Sequence, residues 1–146
     1  MATVSTYLNF DRRTEEAFNF YKSVFGTEFM GPIVRMGDIP APEGEPAMSG
    51  DDKRLVANVA LPILGGHLLM GTDTAATGST VALNQGNNVW ISLHPESREE
   101  ADTLFASLSE GGNVEMPMAD QFWGDYFGSL VDRFGVNWMV NYSSES

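Results

Sequence analysis

One helical pattern occurs twice in this chain, 84 positions apart, and this duplication constrains the fold more than any other feature. Glu-Glu-Ala stands at residues 15–17 and again at 99–101, and apolar residues follow both copies at the spacing of an amphipathic helix. Glycine ends each pattern, at Gly26 and at residues 111–112, as it ends many helices. The two matching units predict a duplicated fold.

Each helix stands among segments rich in β-forming residues, so both halves predict a βαβββ module. In the first half, the predicted strands cover residues 4–10, 28–36, 54–61 and 67–71. In the second half, they cover residues 88–93, 114–118, 126–131 and 136–142. A mobile loop rich in proline and glycine is predicted at residues 40–50.

We expect a single α+β domain over residues 1–146, with module 1 at about 1–72, a linker at about 73–87 and module 2 at about 88–146. Each module is too small to bury both faces of a four-stranded sheet by itself. The two sheets are therefore expected to form a cupped mixed sheet around a cleft, where ligand pockets commonly form.

Charge and composition exclude several functional classes. The eight Lys and Arg residues against twenty Asp and Glu give a net charge of −12, which would repel nucleic acid and anionic membranes. The absence of cysteine excludes disulfides, thiolate zinc sites and iron–sulfur clusters, and two histidines cannot build a three-histidine metal site. No apolar run is long enough to span a bilayer and no secretory signal is evident, so we expect a cytoplasmic protein.

Several motifs resemble the PhnB-like branch of the vicinal oxygen chelate superfamily, across nearly the whole chain. The most specific motifs lie at residues 108–112 (Leu-Ser-Glu-Gly-Gly), 121–124 (Gln-Phe-Trp-Gly) and 132–139 (Asp-Arg-Phe-Gly-Val-Asn-Trp-Met). The superfamily includes glyoxalase I, bleomycin-resistance proteins, fosfomycin-resistance transferases and extradiol dioxygenases. The resemblance implies paired βαβββ modules of the glyoxalase/bleomycin-resistance type and assembly as a homodimer.

Catalytic members of this superfamily hold a divalent metal between His and Glu side chains on the first and last strands of each module. The resemblance places Asn88 and Met139 at these positions in module 2, and Thr6 and Leu69 in module 1. Asn58 stands where PhnB-like relatives often have a histidine. Amide, thioether and hydroxyl groups are poor ligands for a first-row divalent ion, and an aliphatic group is none, so we expect no metal cofactor.

Polar and aromatic residues on the strands are the remaining candidates for a site. His67, which opens its predicted strand, is either a proton carrier at the cleft or a strand-end or surface histidine. A metal site made of His67, His94 and a carboxylate is the alternative for a cofactor. Trp123 lies either in a ligand wall or in the core. The candidate ligand-binding residues are Asn58, His67, Asn88, Trp90, Trp123, Asn137 and Met139.

Strand alternation predicts that Asn137, Met139 and Asn141 share one face, either as a pocket wall or as a solvated outer face. Asp125 is a potential acid for which the sequence shows no partner. Two functions fit these patterns. The first is binding of a small amphipathic or aromatic molecule without the usual metal. The alternative is an enzyme of the vicinal oxygen chelate type, of lyase, transferase or dioxygenase class, that uses an unusual metal site or a metal-free group such as His67.

Overall fold

Two four-stranded sheets organise the chain, one in each half of the sequence. The computed structural model describes residues 1–40, 43–44, 48–77 and 82–144. These residues cluster into two compact units, Met1–Leu83 and Asn84–Ser146. Each unit combines one mixed sheet with one twelve-residue helix.

The first unit contains a sheet with the strand order β1-β4-β3-β2. Strand β1 runs parallel to β4, whereas β3 is antiparallel to both β4 and β2. Its elements are β1 (Thr6–Phe10), α1 (Thr14–Phe25), β2 (Val34–Arg35), α2 (Gly50–Lys53), β3 (Val56–Pro62) and β4 (Leu68–Asp73).

Helix α1 covers one face of this first sheet. Its buried residues Ala17, Phe18 and Tyr21 form a core with Leu61 of β3 and Leu69 of β4. Burying a large apolar side chain contributes about 1.5–3 kcal/mol to stability, so this contact fixes the helix on the sheet. The helix ends where Gly26 adopts the left-handed conformation (φ 65°) and donates its backbone N–H to the carbonyl of Lys22.

The second unit repeats this arrangement with the strand order β5-β8-β7-β6. Strand β5 runs parallel to β8, and the other neighbours are antiparallel. Its elements are β5 (Ile91–Leu93), α3 (Arg98–Ser109), β6 (Asn113–Asp120), β7 (Tyr126–Val131) and β8 (Asn137–Tyr142).

Helix α3 packs on one face of the second sheet. Leu104 and Leu108 of the helix are buried, as are Leu130, Trp138 and Val140 of the strands beneath it. The N-terminus of α3 is capped by Ser97, whose hydroxyl accepts the backbone N–H of Glu100 at 3.0 Å. Apart from the four-residue helix α2, both units have the same order of helix and strands, which confirms the predicted α+β fold of paired βαβββ modules.

Two strands begin three or more residues later than predicted, and β6 is three residues longer than the predicted segment at 114–118. The segment predicted at residues 28–36 pairs as a regular strand only at Val34–Arg35, because Gly31 takes a left-handed conformation (φ 81°) and Pro32 has no backbone N–H. The strand predicted at 88–93 begins at Ile91. Five residues of the predicted loop at 40–50 and four of the predicted linker lie outside the described residues. Within the described residues, no helix has the length and apolar character needed to cross a membrane.

Candidate functional site

The second sheet has one face that α3 does not cover, here called the helix-free face. The pairing of β7 with β8 sets Phe127 opposite Asn141, Ser129 opposite Met139 and Val131 opposite Asn137. Gly128, between Phe127 and Ser129, faces the helix, because a Cβ added there would lie 2.8 Å from the ring of Phe105 in α3. Side chains alternate along a strand, so the residues on either side of Gly128 point away from the helix. The helix-free face therefore carries Phe127, Ser129, Val131, Asn137, Met139 and Asn141.

Aromatic rings lie at one end of the helix-free face. Trp123, in the turn between β6 and β7, packs against Phe127 with ring centroids 6.2 Å apart, and Phe122 packs edge-on against Trp123 at 5.0 Å. Trp123 is 50% exposed and Phe122 is 97% exposed. Such exposure of two large aromatic side chains is costly in water, so their placement needs a reason beyond the core of this unit.

Backbone hydrogen bonds stabilise the turn that carries Phe122 and Trp123. The N–H of Gln121 donates to the carbonyl of Asp125 at 2.8 Å, and the N–H of Gly124 donates to the carbonyl of Gln121 at 2.9 Å. Gly124 has φ 101°, a conformation that a residue with a Cβ rarely adopts. The glycine of the Gln-Phe-Trp-Gly motif thus allows the tight turn that holds Trp123 against the sheet.

Asp125 joins the aromatic end to the polar part of the helix-free face. Its side-chain Oδ2 accepts the amide N–H of Asn141 at 3.0 Å, and both residues are partly buried. Asp125 precedes Phe127 by two positions, and Asn141 is the cross-strand partner of Phe127. A carboxylate, an amide and two aromatic rings therefore lie in one continuous cluster.

The opposite end of the helix-free face is occupied by the chain itself. Asn137 is buried, and its side-chain amide donates to the backbone carbonyls of Gly86 at 2.9 Å and Val89 at 3.0 Å. The indole N–H of Trp90 donates to the carbonyl of Asn87 at 2.8 Å. Asn88 lies exposed in this segment, before β5 begins. Asn137 and Trp90 thus help to hold residues 86–89 in place.

Asn58 and His67 belong to the first unit and lie on different sides of its sheet. Asn58 is exposed on β3, on the side opposite the buried Val59 and Leu61. His67 immediately precedes β4, and its Nε2 lies 2.9 Å from the hydroxyl of Thr6. Strand alternation puts His67 on the same side as Leu69, which faces α1. Their roles in ligand binding stay predictions.

The positions that correspond to metal ligands in the superfamily carry donors that do not fit such a site. Met139, a thioether, pairs with Ser92 on β5 and Ser129 on β7, so its strand neighbours supply only hydroxyl groups. In the first unit, Thr6 pairs with Leu69. Among the described residues, no three His, Asp or Glu side chains converge as a metal site would require.

A second group of polar residues lies on the helix side of the second sheet. The phenol of Tyr126 donates to Asp102 at 2.6 Å, and this hydrogen bond raises the pKa of Tyr126. The guanidinium of Arg98 lies 3.9 Å from the centroid of the Tyr126 ring and binds Asp120, whose pKa it lowers. A shallow depression of about 230 Å³ adjoins these groups, between Arg98, Gly124, Tyr126, Tyr142 and Ser144. The positive charge of Arg98 is already paired there.

Sequence reasoning missed the part played by Asp125 and Phe127. Asp125 had no visible partner in the sequence, because Asn141 lies sixteen positions away and approaches it only through the pairing of β7 with β8. The position of Phe127 on the helix-free face follows from strand alternation once the hairpin turn is placed at residues 121–125. Trp123 lies at the edge of the sheet, half exposed, rather than within the core.

The fold of two βαβββ units defines the class of this protein. It matches solved structures of the glyoxalase/bleomycin-resistance/dioxygenase type, such as an enzyme of that family from Burkholderia phytofirmans, with a TM-score of 0.56 and 15% identity over 94% of this chain and 96% of that one. The family model described as 3-demethylubiquinone-9 3-methyltransferase matches residues 2–141. The chain belongs to this PhnB-like family.

Its relatives come from several bacteria. Protein PA1353 from Pseudomonas aeruginosa shares 33% identity and a TM-score of 0.79, with 98% of each chain covered. The PhnB protein from Bacillus cereus shares 26% identity and a TM-score of 0.72, over 97% of this chain and 100% of that one. Protein YjdN from Escherichia coli is 27% identical over 143 residues, which cover 94% of this chain and 93% of YjdN.

Proposed function

We propose that this protein binds a small amphipathic or aromatic molecule on the helix-free face of the second sheet, without a metal held by His and Glu. The observation that carries the proposal is the packing of half-exposed Trp123 on Phe127 beside the amide of Asn141. Binding sites for small molecules combine such apolar walls with a few convergent polar groups.

The chemistry of the helix-free face supports an amphipathic ligand rather than a purely apolar one. The rings of Trp123 and Phe127 offer a flat apolar surface on which an aromatic group can stack. Met139 is partly buried in the middle of the face and has a flexible side chain that adapts to different shapes. The amide of Asn141 and the carboxylate of Asp125 lie next to these groups and can orient a polar substituent.

The proposal predicts that Trp123→Ala lowers ligand affinity more than it lowers stability. Titration calorimetry with 1-naphthalenemethanol, a neutral amphipathic probe, should show a loss of about tenfold or more, because the ring that stacks on the probe is removed. The melting temperature should change little, since half of the Trp123 surface is already exposed.

Met30→Ala is the matched control, because it removes another exposed apolar side chain but lies in the first unit. It should leave the binding of 1-naphthalenemethanol unchanged. If Trp123→Ala lowers the melting temperature and binding is as strong as in the parent protein, Trp123 is a structural residue and the proposed site is wrong.

Two further expectations form part of this proposal. The resemblance to the superfamily favours a homodimer, which sedimentation velocity would test directly through the mass of the particle in solution. The cytoplasmic location expected from the sequence stays a prediction, which fractionation of cells would test.

A further inference from the structure

We infer that the molecule bound on the helix-free face carries a protonated amine, and that Asp125 is the residue that selects it. This inference rests on the proposed function and names the class of its ligand. The ligand would place an aromatic or aliphatic body on Trp123 and Phe127 and its ammonium group against the Asp125 carboxylate. The geometry and the charge of the second unit both support this assignment.

The geometry leaves one carboxylate oxygen of Asp125 available. Oδ2 accepts the amide of Asn141 at 3.0 Å, and within the described part of the chain no donor is bound to Oδ1. Asn141 therefore holds the carboxylate in a fixed orientation next to the cross-strand pair that it forms with Phe127. An ammonium N–H can donate to Oδ1 in a charge-assisted hydrogen bond, which is stronger than a bond between neutral groups.

The aromatic rings next to Asp125 favour the same ligand. An ammonium group within about 6 Å of the face of a tryptophan is attracted by the negative potential of the ring. Trp123 lies in the same turn as Asp125 and packs on Phe127, whose cross-strand partner is Asn141. A cationic group bound at Asp125 would thus lie beside aromatic rings as well as beside a carboxylate.

The charges of the second unit oppose an anionic ligand. Its only lysine or arginine residues are Arg98 and Arg133. Arg98 binds Asp120 on the helix side of the sheet, and Arg133 donates from Nε to the backbone carbonyl of Glu110. In the described residues Asp125 has no ion pair with a basic side chain, so its negative charge is not compensated there. The net charge of −12 attracts cations over longer distances in addition.

The experiment compares three naphthalene probes that differ only in one substituent. They are 1-naphthalenemethylamine, which is protonated at about pH 7, the neutral 1-naphthalenemethanol and the anionic 1-naphthoate. Calorimetry on the parent protein should show the amine binding about tenfold tighter than the alcohol, and the carboxylate binding more weakly than the alcohol. Equal or weaker binding of the amine relative to the alcohol would overturn the inference.

Asp125→Asn removes the charge and keeps an oxygen that can accept the amide of Asn141. It should lower the affinity for the amine by about tenfold and the affinity for the alcohol far less, because only the amine loses a charge-assisted hydrogen bond. Asp51→Asn changes the net charge by the same amount at an exposed position of the first unit. It should alter neither the affinity for the amine nor the affinity for the alcohol. An equal loss for both probes in Asp125→Asn would mean that Asp125 only supports the turn. Asp125→Ser is the second neutral variant, to be measured if the first does not fold.

The outcomes separate this inference from the proposed function. If the alcohol binds and Trp123→Ala weakens it, but the amine has no advantage, the site is supported and only the ligand class is wrong. If none of the three probes binds to the parent protein, both the site and the ligand class are contradicted.

Discussion

Each unit buries one aspartate whose carboxylate accepts hydrogen bonds from the surrounding chain. In the first unit, Oδ1 of Asp73 accepts the backbone N–H and hydroxyl of Thr14, and Oδ2 accepts the N–H of Val56. In the second unit, Oδ1 of Asp132 accepts the N–H groups of Phe134 and Val136. These carboxylates satisfy donors that would otherwise be buried without a partner, so both residues have structural roles.

Replacing Asp132 should therefore destabilise the protein without a direct effect on the proposed site. Oδ2 of Asp132 accepts the indole N–H of the fully buried Trp138 at 2.8 Å. In Asp132→Asn, the amide NH₂ would face one of these donors, and a buried unsatisfied donor costs about 1–3 kcal/mol. Urea unfolding followed by tryptophan fluorescence measures this loss.

Asp51→Asn is the control for this measurement, because the Asp51 side chain is 87% exposed. The same loss of charge should leave its unfolding midpoint nearly unchanged. Equal midpoints for Asp132→Asn and Asp51→Asn would contradict the role assigned to the buried carboxylate.

The contact of α1 with the first sheet depends on a glycine in β4. A Cβ built at Gly71 would lie 2.5 Å from Cε1 of Phe18 and 3.2 Å from Cγ2 of Thr14, both in α1. Gly71→Ala should therefore destabilise the protein by about 1–3 kcal/mol through overpacking, although alanine is otherwise better than glycine within a strand. Thermal and urea unfolding of the variant would give this difference.

Gly50→Ala is the matched substitution, since a Cβ built at Gly50 meets no atom within 4 Å. It should leave stability close to that of the parent protein. A Gly71→Ala variant as stable as Gly50→Ala would show that α1 can move away from the sheet at little cost, contrary to the tight packing seen here.

The elements differ in how well the sequence predicts them. Helices α1 and α3 lie where the repeated Glu-Glu-Ala pattern indicates them, because amphipathic spacing and a glycine after the pattern are local signals. Strand β2 is shorter than predicted, because its extent depends on pairing with β3 and because Gly31 and Pro32 interrupt the segment before Val34. The role of Asp125 was missed because its partner is brought near only by a cross-strand register.

The excess of negative charge is the dominant property of the protein as a whole. The net charge is −12, and the described ion pairs lie at exposed positions such as Arg12–Asp52 and Arg98–Asp120. Exposed pairs contribute little and are weakened by salt. Repulsion among the surplus carboxylates also weakens with salt, and it acts throughout the chain. The two effects have opposite signs, so the salt dependence of stability tells which one is larger.

We expect repulsion to be the larger effect, so the urea midpoint should rise as NaCl is raised from about 0.01 to about 0.1 M, where the Debye length falls from about 30 to about 10 Å. The double variant Glu110→Gln/Glu115→Gln removes two exposed carboxylates outside the described ion pairs and brings the net charge from −12 to −10. Its midpoint should rise less over the same range, because less repulsion is left to screen. A midpoint that falls with salt in the parent protein would mean that the ion pairs outweigh the repulsion.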